Sequence, residues 1–185
     1  MTMTDAPDQD LPDLASELLG GAVLYANDDY FAEKENLLRP HPAEWREHAY
    51  TDRGKWMDGW ESRRKRALPG HDFAIVRLGA SGVIRRAVID TSFFRGNFPA
   101  EAALDGLIAR PDLPLDKLLD DDAPWFEILP SSSLQGHHAN TFELATPLAV
   151  SHVRLRIYPD GGVARLRLHG EPLPDWRALG GARAA

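Results

Sequence analysis

Alternation of apolar and polar positions is clearest over residues 151–170. Val153, Leu155 and Ile157 alternate with His152, Arg154 and Arg156, and after the turn sequence YPDGG, Ala164, Leu166 and Leu168 alternate with Arg165, Arg167 and His169. Two period-two runs about Pro-Asp-Gly-Gly predict a β-hairpin. Compact β-rich runs at 72–79 and 82–94, joined through a short ASG connection, predict a second hairpin or a pair of neighbouring strands, and 142–147 predicts a strand closed by Pro147. Helical pattern is sparse. Residues 11–19 predict a short amphipathic turn or two, 100–109 has helix-forming composition, and 114–121 predicts a single turn. Many short strands, frequent Gly and Pro, and little helix predict an all-β sandwich. Its single domain runs over 13–177, between disordered tails at 1–12 and 178–185.

Composition narrows the classes of function. The chain has 185 residues, 43% of them hydrophobic, which suits one domain with a substantial core. A net charge of −7 and a pI near 5.4 argue against nucleic acid and anionic membrane as partners. There is no cysteine, which excludes disulfides, zinc–thiolate sites and thiol nucleophiles. The acidic first residues lack an apolar run behind a basic start, no segment approaches the ~18 apolar residues of a membrane span, and a cytoplasmic location is expected. Arginine supplies 17 of the 21 cations, and its planar fork is suited to binding carboxylates.

Four stretches carry candidate chemistry. The hairpin places Arg154, Arg156, Arg165 and Arg167 on one face, either outward and solvated or with a member turned to an acidic cleft or an anionic ligand. Residues 54–66, GKWMDGWESRRKR, read as a loop made rigid by Trp56 and Trp60, with Asp58 and Glu61 as hydrogen-bond acceptors, Arg63 and Arg64 as carboxylate partners, and Lys65 and Arg66 in solvent. His71 stands beside Asp72 ahead of a strand. Residues 90–99, DTSFFRGNFP, place polar groups at a strand end framed by aromatics, as in small-molecule pockets. The His137-His138 pair lacks the spacing of a metal site, so no cofactor is expected, with a divalent metal left open.

The segments LGGAVLYANDDYFAEKENLL at 19–38, DRGKWMDGWESRRKR at 52–66, GHDFAIVRLGASGVIRRAVIDTSFFRGNFP at 70–99 and HVRLRIYPDGGVARLRLHGE at 152–171 resemble the allantoicase family. The resemblance covers roughly 19–176 and implies a jelly-roll β-sandwich of the galactose-binding-like type. It also implies a hydrolase converting allantoate to ureidoglycolate and urea in purine breakdown. Members of the family usually carry two repeats in tandem. This chain carries one, closer to the first, which implies a homo-oligomer or pairing with another repeat. Losing urea needs a proton for the leaving nitrogen and an activated water for the carbon. Candidate catalytic residues are Asp58, Glu61, His71 and Asp90: Glu61 or Asp58 with His71 for proton transfer. Candidate substrate-binding residues are Trp60, Arg63, Arg64, Asn97 and Arg154, with Arg63 or Arg64 and Asn97 foremost. A reading from another class is a non-catalytic small-ligand-binding or regulatory single repeat, since galactose-binding-like sandwiches often only bind.

Overall fold

The computed structural model describes residues 11–173. Strands β1 (Ala22–Ala26), β2 (Tyr50–Thr51), β3 (Gly54–Lys55), β4 (Trp60–Glu61), β5 (Asp72–Asp90), β6 (Glu101–Leu107), β7 (Phe126–Ser133), β8 (Ala139–Glu143), β9 (Val150–Tyr158), β10 (Gly162–Val163) and β11 (Arg165–Pro172) carry the fold. Among the described residues, helix is confined to 3-10 turns at Glu17–Leu19 and Lys34–Leu38 and to one α-turn, α1 (Leu115–Leu118). The all-β sandwich, the short turn within 11–19 and the single turn within 114–121 are as expected. No helix among the described residues is long and apolar enough to cross a membrane.

β5 organises both layers. Its first half is flanked by β1 and β9, and the sheet continues through β6 to β7. Its second half pairs with β11 on one side and β8 on the other. All of these pairings are antiparallel. The two expected runs at 72–79 and 82–94 are therefore one 19-residue strand rather than a hairpin, and Ala80-Ser81-Gly82 is passed without a turn. A bulge keeps its apolar face inward. Ala74, Val76, Leu78 and Ile84 are buried at even positions; the register with β11 then skips Arg85, and burial passes to Ala87 and Ile89. These side chains join Leu104, Val153, Leu155, Ile157, Leu166 and Leu168 in the main core.

Three further expectations are corrected. The runs about YPDGG do not pair with each other: β9 binds β5 and β6, while β11 binds the far half of β5. Alternation fixes which residues face inward, not which strand lies alongside. Residues 101–107 form a strand, not a helix. β6 lies between β9 and β7 with Ala102 and Ala103 buried, and a Cβ at Gly106 would lie 2.4 Å from Val150 Cγ1, so small residues serve close sheet packing there. The strand expected at 142–147 lies earlier, as β8. On the opposite face of the strands β1, β5, β9, β6 and β7, Ile75, Leu107 and Leu118 form a smaller cluster, so α1 serves to cap that face.

At the chain ends, Leu11 and Pro12, expected in the tail, are bound to β11: Gly170 N donates to Pro12 O at 3.1 Å, and His169 Nδ1 lies 3.0 Å from Leu11 O. The rest of that tail, residues 174–177 and the tail expected at 178–185 lie outside the described residues.

Candidate functional site

The stretch 54–66 divides at Trp60. Trp60 is fully buried, and its Nε1 donates to Asp28 O at 2.8 Å. Behind it Asp58 and Arg165 form an ion pair at 2.7 Å with both side chains 1% exposed. Arg165 also donates to the carbonyls of His41, Asp58 and Ala164, and Glu44 N donates to Asp58 Oδ2 at 2.9 Å. Burial pushes the Asp58 carboxyl up, but the bonds from Arg165 and Glu44 and the charges of Arg165 and Arg39 outweigh it, so it stays below the ordinary carboxylate range. Asp58 and Trp60 thus brace the loop from inside.

Glu61 faces the other way. β4 is held on one side by β10, where Gly162 pairs with Glu61, and on the other by a bridge to Ala32. The approach of β10 requires glycine: a Cβ on Gly162 would lie 1.9 Å from Phe94 Cε1. Glu61 lines a cavity of about 510 Å3 with Phe31, Arg64, Lys65, Asn97 and Asp160 among its walls. Asn97 Nδ2 donates to Glu61 Oε1 at 2.7 Å, and Oε2 has no hydrogen-bond partner among the described residues. Burial raises the Glu61 carboxyl above its ordinary value, and the Asn97 bond offsets this only in part. The result is an acid that keeps its proton to higher pH than a surface glutamate, with one oxygen unengaged.

Asn97 is placed by the 90–99 turn. Its carbonyl accepts Gly162 N at 2.8 Å. The turn itself is bound by the His pair: His137 N donates to Phe94 O at 2.9 Å, Phe93 N to His137 Nδ1 at 2.8 Å, and Thr91 N to His138 O at 2.9 Å. Among the described residues, no cluster of three or more His, Asp or Glu is arranged to hold a metal ion.

The nine candidate residues separate into four sets, with Arg64 common to two. Glu61, Asn97 and Arg64 share the cavity. Arg63 and Arg64 line an adjoining cavity of about 840 Å3. Asp58 and Trp60 lie behind the wall, and three others stand apart. His71 lies against Tyr158, ring centroids 5.3 Å apart, with its pKa lowered by partial burial and by Arg156 and Arg154. Asp90 ends β5, its Oδ1 accepting Ser92 N at 2.8 Å. Arg154 pairs with Asp105 at 2.9 Å and stacks on Trp125. The four arginines expected on one hairpin face lie on two strands that do not pair with each other: Arg154 and Arg156 on β9 bind Asp105, while on β11 Arg165 binds Asp58 and Arg167 Nη2 donates to Arg39 O.

Three residues at the site escape a reading of the sequence. Asp28 accepts Arg63 Nε at 2.8 Å and the N–H groups of Tyr30 and Arg63. Asp160, read as turn chemistry, accepts Lys65 N at 2.6 Å and so ties the YPDGG turn to the loop. Lys65 is not solvated: its Nζ pairs with fully buried Asp72 at 2.6 Å. Asp28 and Asp160 lie 35 and 95 residues from the loop groups they bind, and carry no local signal of that contact.

The family described as the allantoicase repeat matches residues 12–173. The chain belongs to the allantoicase family. A probable allantoicase of Photobacterium profundum is 50% identical over 90% of this chain and 49% of that protein, and one of Pseudomonas savastanoi is 47% identical over 95% and 51%. The crystal structure of Saccharomyces cerevisiae allantoicase matches with a TM-score of 0.78 at 31% identity, covering 91% of this chain and 51% of that one. The chain thus spans about half the length of the curated allantoicases it matches. A carbohydrate-binding module of a Clostridium perfringens glycoside hydrolase matches with a TM-score of 0.59 at 12% identity, which places the allantoicase repeat among jelly-roll sandwiches of the galactose-binding-like type.

Proposed function

We propose that this chain hydrolyses allantoate to ureidoglycolate and urea, in the allantoin branch of purine breakdown. Family membership supports the reaction class. The single observation that carries the site is Glu61, a carboxyl raised by burial, bonded only to a neutral amide and facing a cavity with a cation in its wall. Allantoate carries a carboxylate and two ureido groups on one carbon. Breaking one C–N bond leaves a ureido nitrogen that must gain a proton, while a water oxygen bonds to the carbon and loses one. Glu61 gives its proton to the departing nitrogen. The carboxylate so formed takes the proton of the attacking water, which restores the acid. Asn97 fixes the carboxyl through Oε1, and Arg64 pairs with the substrate carboxylate. Asp58, His71, Asp90 and Arg154 take no step in this scheme.

Two copies, or this chain with a second repeat, would provide what the relatives carry on one polypeptide. The test is urea release from allantoate by the purified chain over a wide range of protein concentration, with and without a divalent cation. Turnover is expected, with activity per chain falling on dilution if pairing completes the site. Absence of urea at every concentration, in either condition, would overturn the proposal and favour a non-catalytic binding repeat.

A further inference from the structure

The Glu61 cavity has a neighbour that the chemistry above leaves unused. Asp28, Phe31, Arg63, Arg64, Lys65 and Arg66 line a second space of about 840 Å3. Phe31, Arg64 and Lys65 line both spaces, so the two adjoin. The charges of this wall can be accounted for residue by residue. Arg63 is neutralised by Asp28 at 2.8 Å, and Lys65 by Asp72 at 2.6 Å. Neither Arg64 nor Arg66 has an ion-pair partner among the described residues, and both are exposed. Asp28, already engaged, is the one carboxylate among the described residues of the lining. Two uncompensated guanidinium groups therefore face a concave space in a chain whose net charge is −7.

We propose that this second cavity is an anion-capture site that takes a small carboxylate on Arg66 and Arg64 and delivers it past Phe31 to Glu61. The inference rests on the allantoate reading and names a further specificity-determining residue, Arg66, that does not touch the reacting atoms. A concave basic wall raises the local concentration of an anion that the acidic surface as a whole repels. Arg64, common to both cavities, can keep hold of the carboxylate as it passes from one to the other. The arrangement selects for charge before it selects for shape. An uncharged analogue gains nothing from it.

The test is allantoate binding by calorimetry to the unmodified chain and to Arg66→Gln, Arg66→Lys and Arg66→Glu, at low and at moderate salt. The neutral amide of allantoate serves as the uncharged probe. Arg66→Gln is expected to weaken allantoate binding about fivefold at low salt, the upper range for one exposed charge pair, with the gap closing as salt rises. Arg66→Lys should restore most of the affinity, Arg66→Glu should weaken it further, and the amide should bind all four proteins alike. Equal allantoate affinity in Arg66→Gln and the unmodified chain overturns the capture site, as does equal weakening for the amide. Binding without turnover overturns the hydrolase reading alone, and the Arg66 comparison still decides the capture site. No binding to the unmodified chain overturns both.

Discussion

Asp58 and Glu61 are three residues apart on one loop, and their environments drive their protons in opposite directions. Asp58 is buried with a guanidinium beside it and its pKa is lowered; Glu61 is partly enclosed with only an amide and its pKa is raised. Burial is common to both, so it does not decide the outcome. The partner does: a fixed cation turns a buried carboxylate into a brace, and its absence leaves a proton available for chemistry.

The most severe way to break this comparison is to remove the cation. Arg165→Leu strands Asp58 in the interior and is expected to lower unfolding stability by about 3–5 kcal/mol, measured by denaturant titration. A double variant, Asp58→Asn with Arg165→Leu, should recover part of the loss, and no recovery would show that Arg165 acts through packing alone. Asp58 also makes acid stability pH-dependent. Its lowered pKa adds stability above the ordinary carboxylate range that is lost as pH falls through the folded-state value.

Glu61→Gln comes next. It is expected to reduce kcat about 10²-fold or more, the scale of a lost general acid, with KM little changed. Its stability should move the other way. A raised folded-state pKa means the native chain holds this proton more tightly than the unfolded chain, so stability declines as pH rises toward that value. Glutamine removes the decline, and the variant should be at least as stable as the original at neutral pH. A large loss of stability would recast Glu61 as a structural residue.

Asn97→Leu should give the smallest effect and the sharpest one. The Asn97 bond partly offsets the burial of Glu61, so removing it raises the Glu61 pKa further. The basic limb of the kcat profile is expected to move to higher pH, with a stability cost of about 1 kcal/mol for the lost hydrogen bond. An unmoved limb would mean that another group sets the profile.

The sandwich class and the inward faces of β9 and β11 were legible because alternation records burial directly. β6 was not: Glu101, Ala102, Ala103 and Leu104 have helical propensity, and only the closeness of β9 and β7 makes a strand of them. At the site, Glu61, Arg64 and Asn97 could be singled out by residue type and family motif. Nothing local distinguishes Asp58 from Glu61, because Arg165 and Asn97 reach them from far along the chain. Asp28 and Asp160 are hidden for the same reason.

Because β5 lends its edges to β1, β9, β8 and β11, the order of synthesis matters. When the segment 72–90 leaves the ribosome, only β1 among its four partners has been made. The other three follow, and β11 comes last. Until β10 and β11 have emerged, one edge of the second half of β5 lies open, and Trp60 and Asp58 lack β10 and Arg165 behind them. A nascent chain paused before that point would present a long apolar strand with unpaired N–H and C=O groups, a template for chaperones or for other chains.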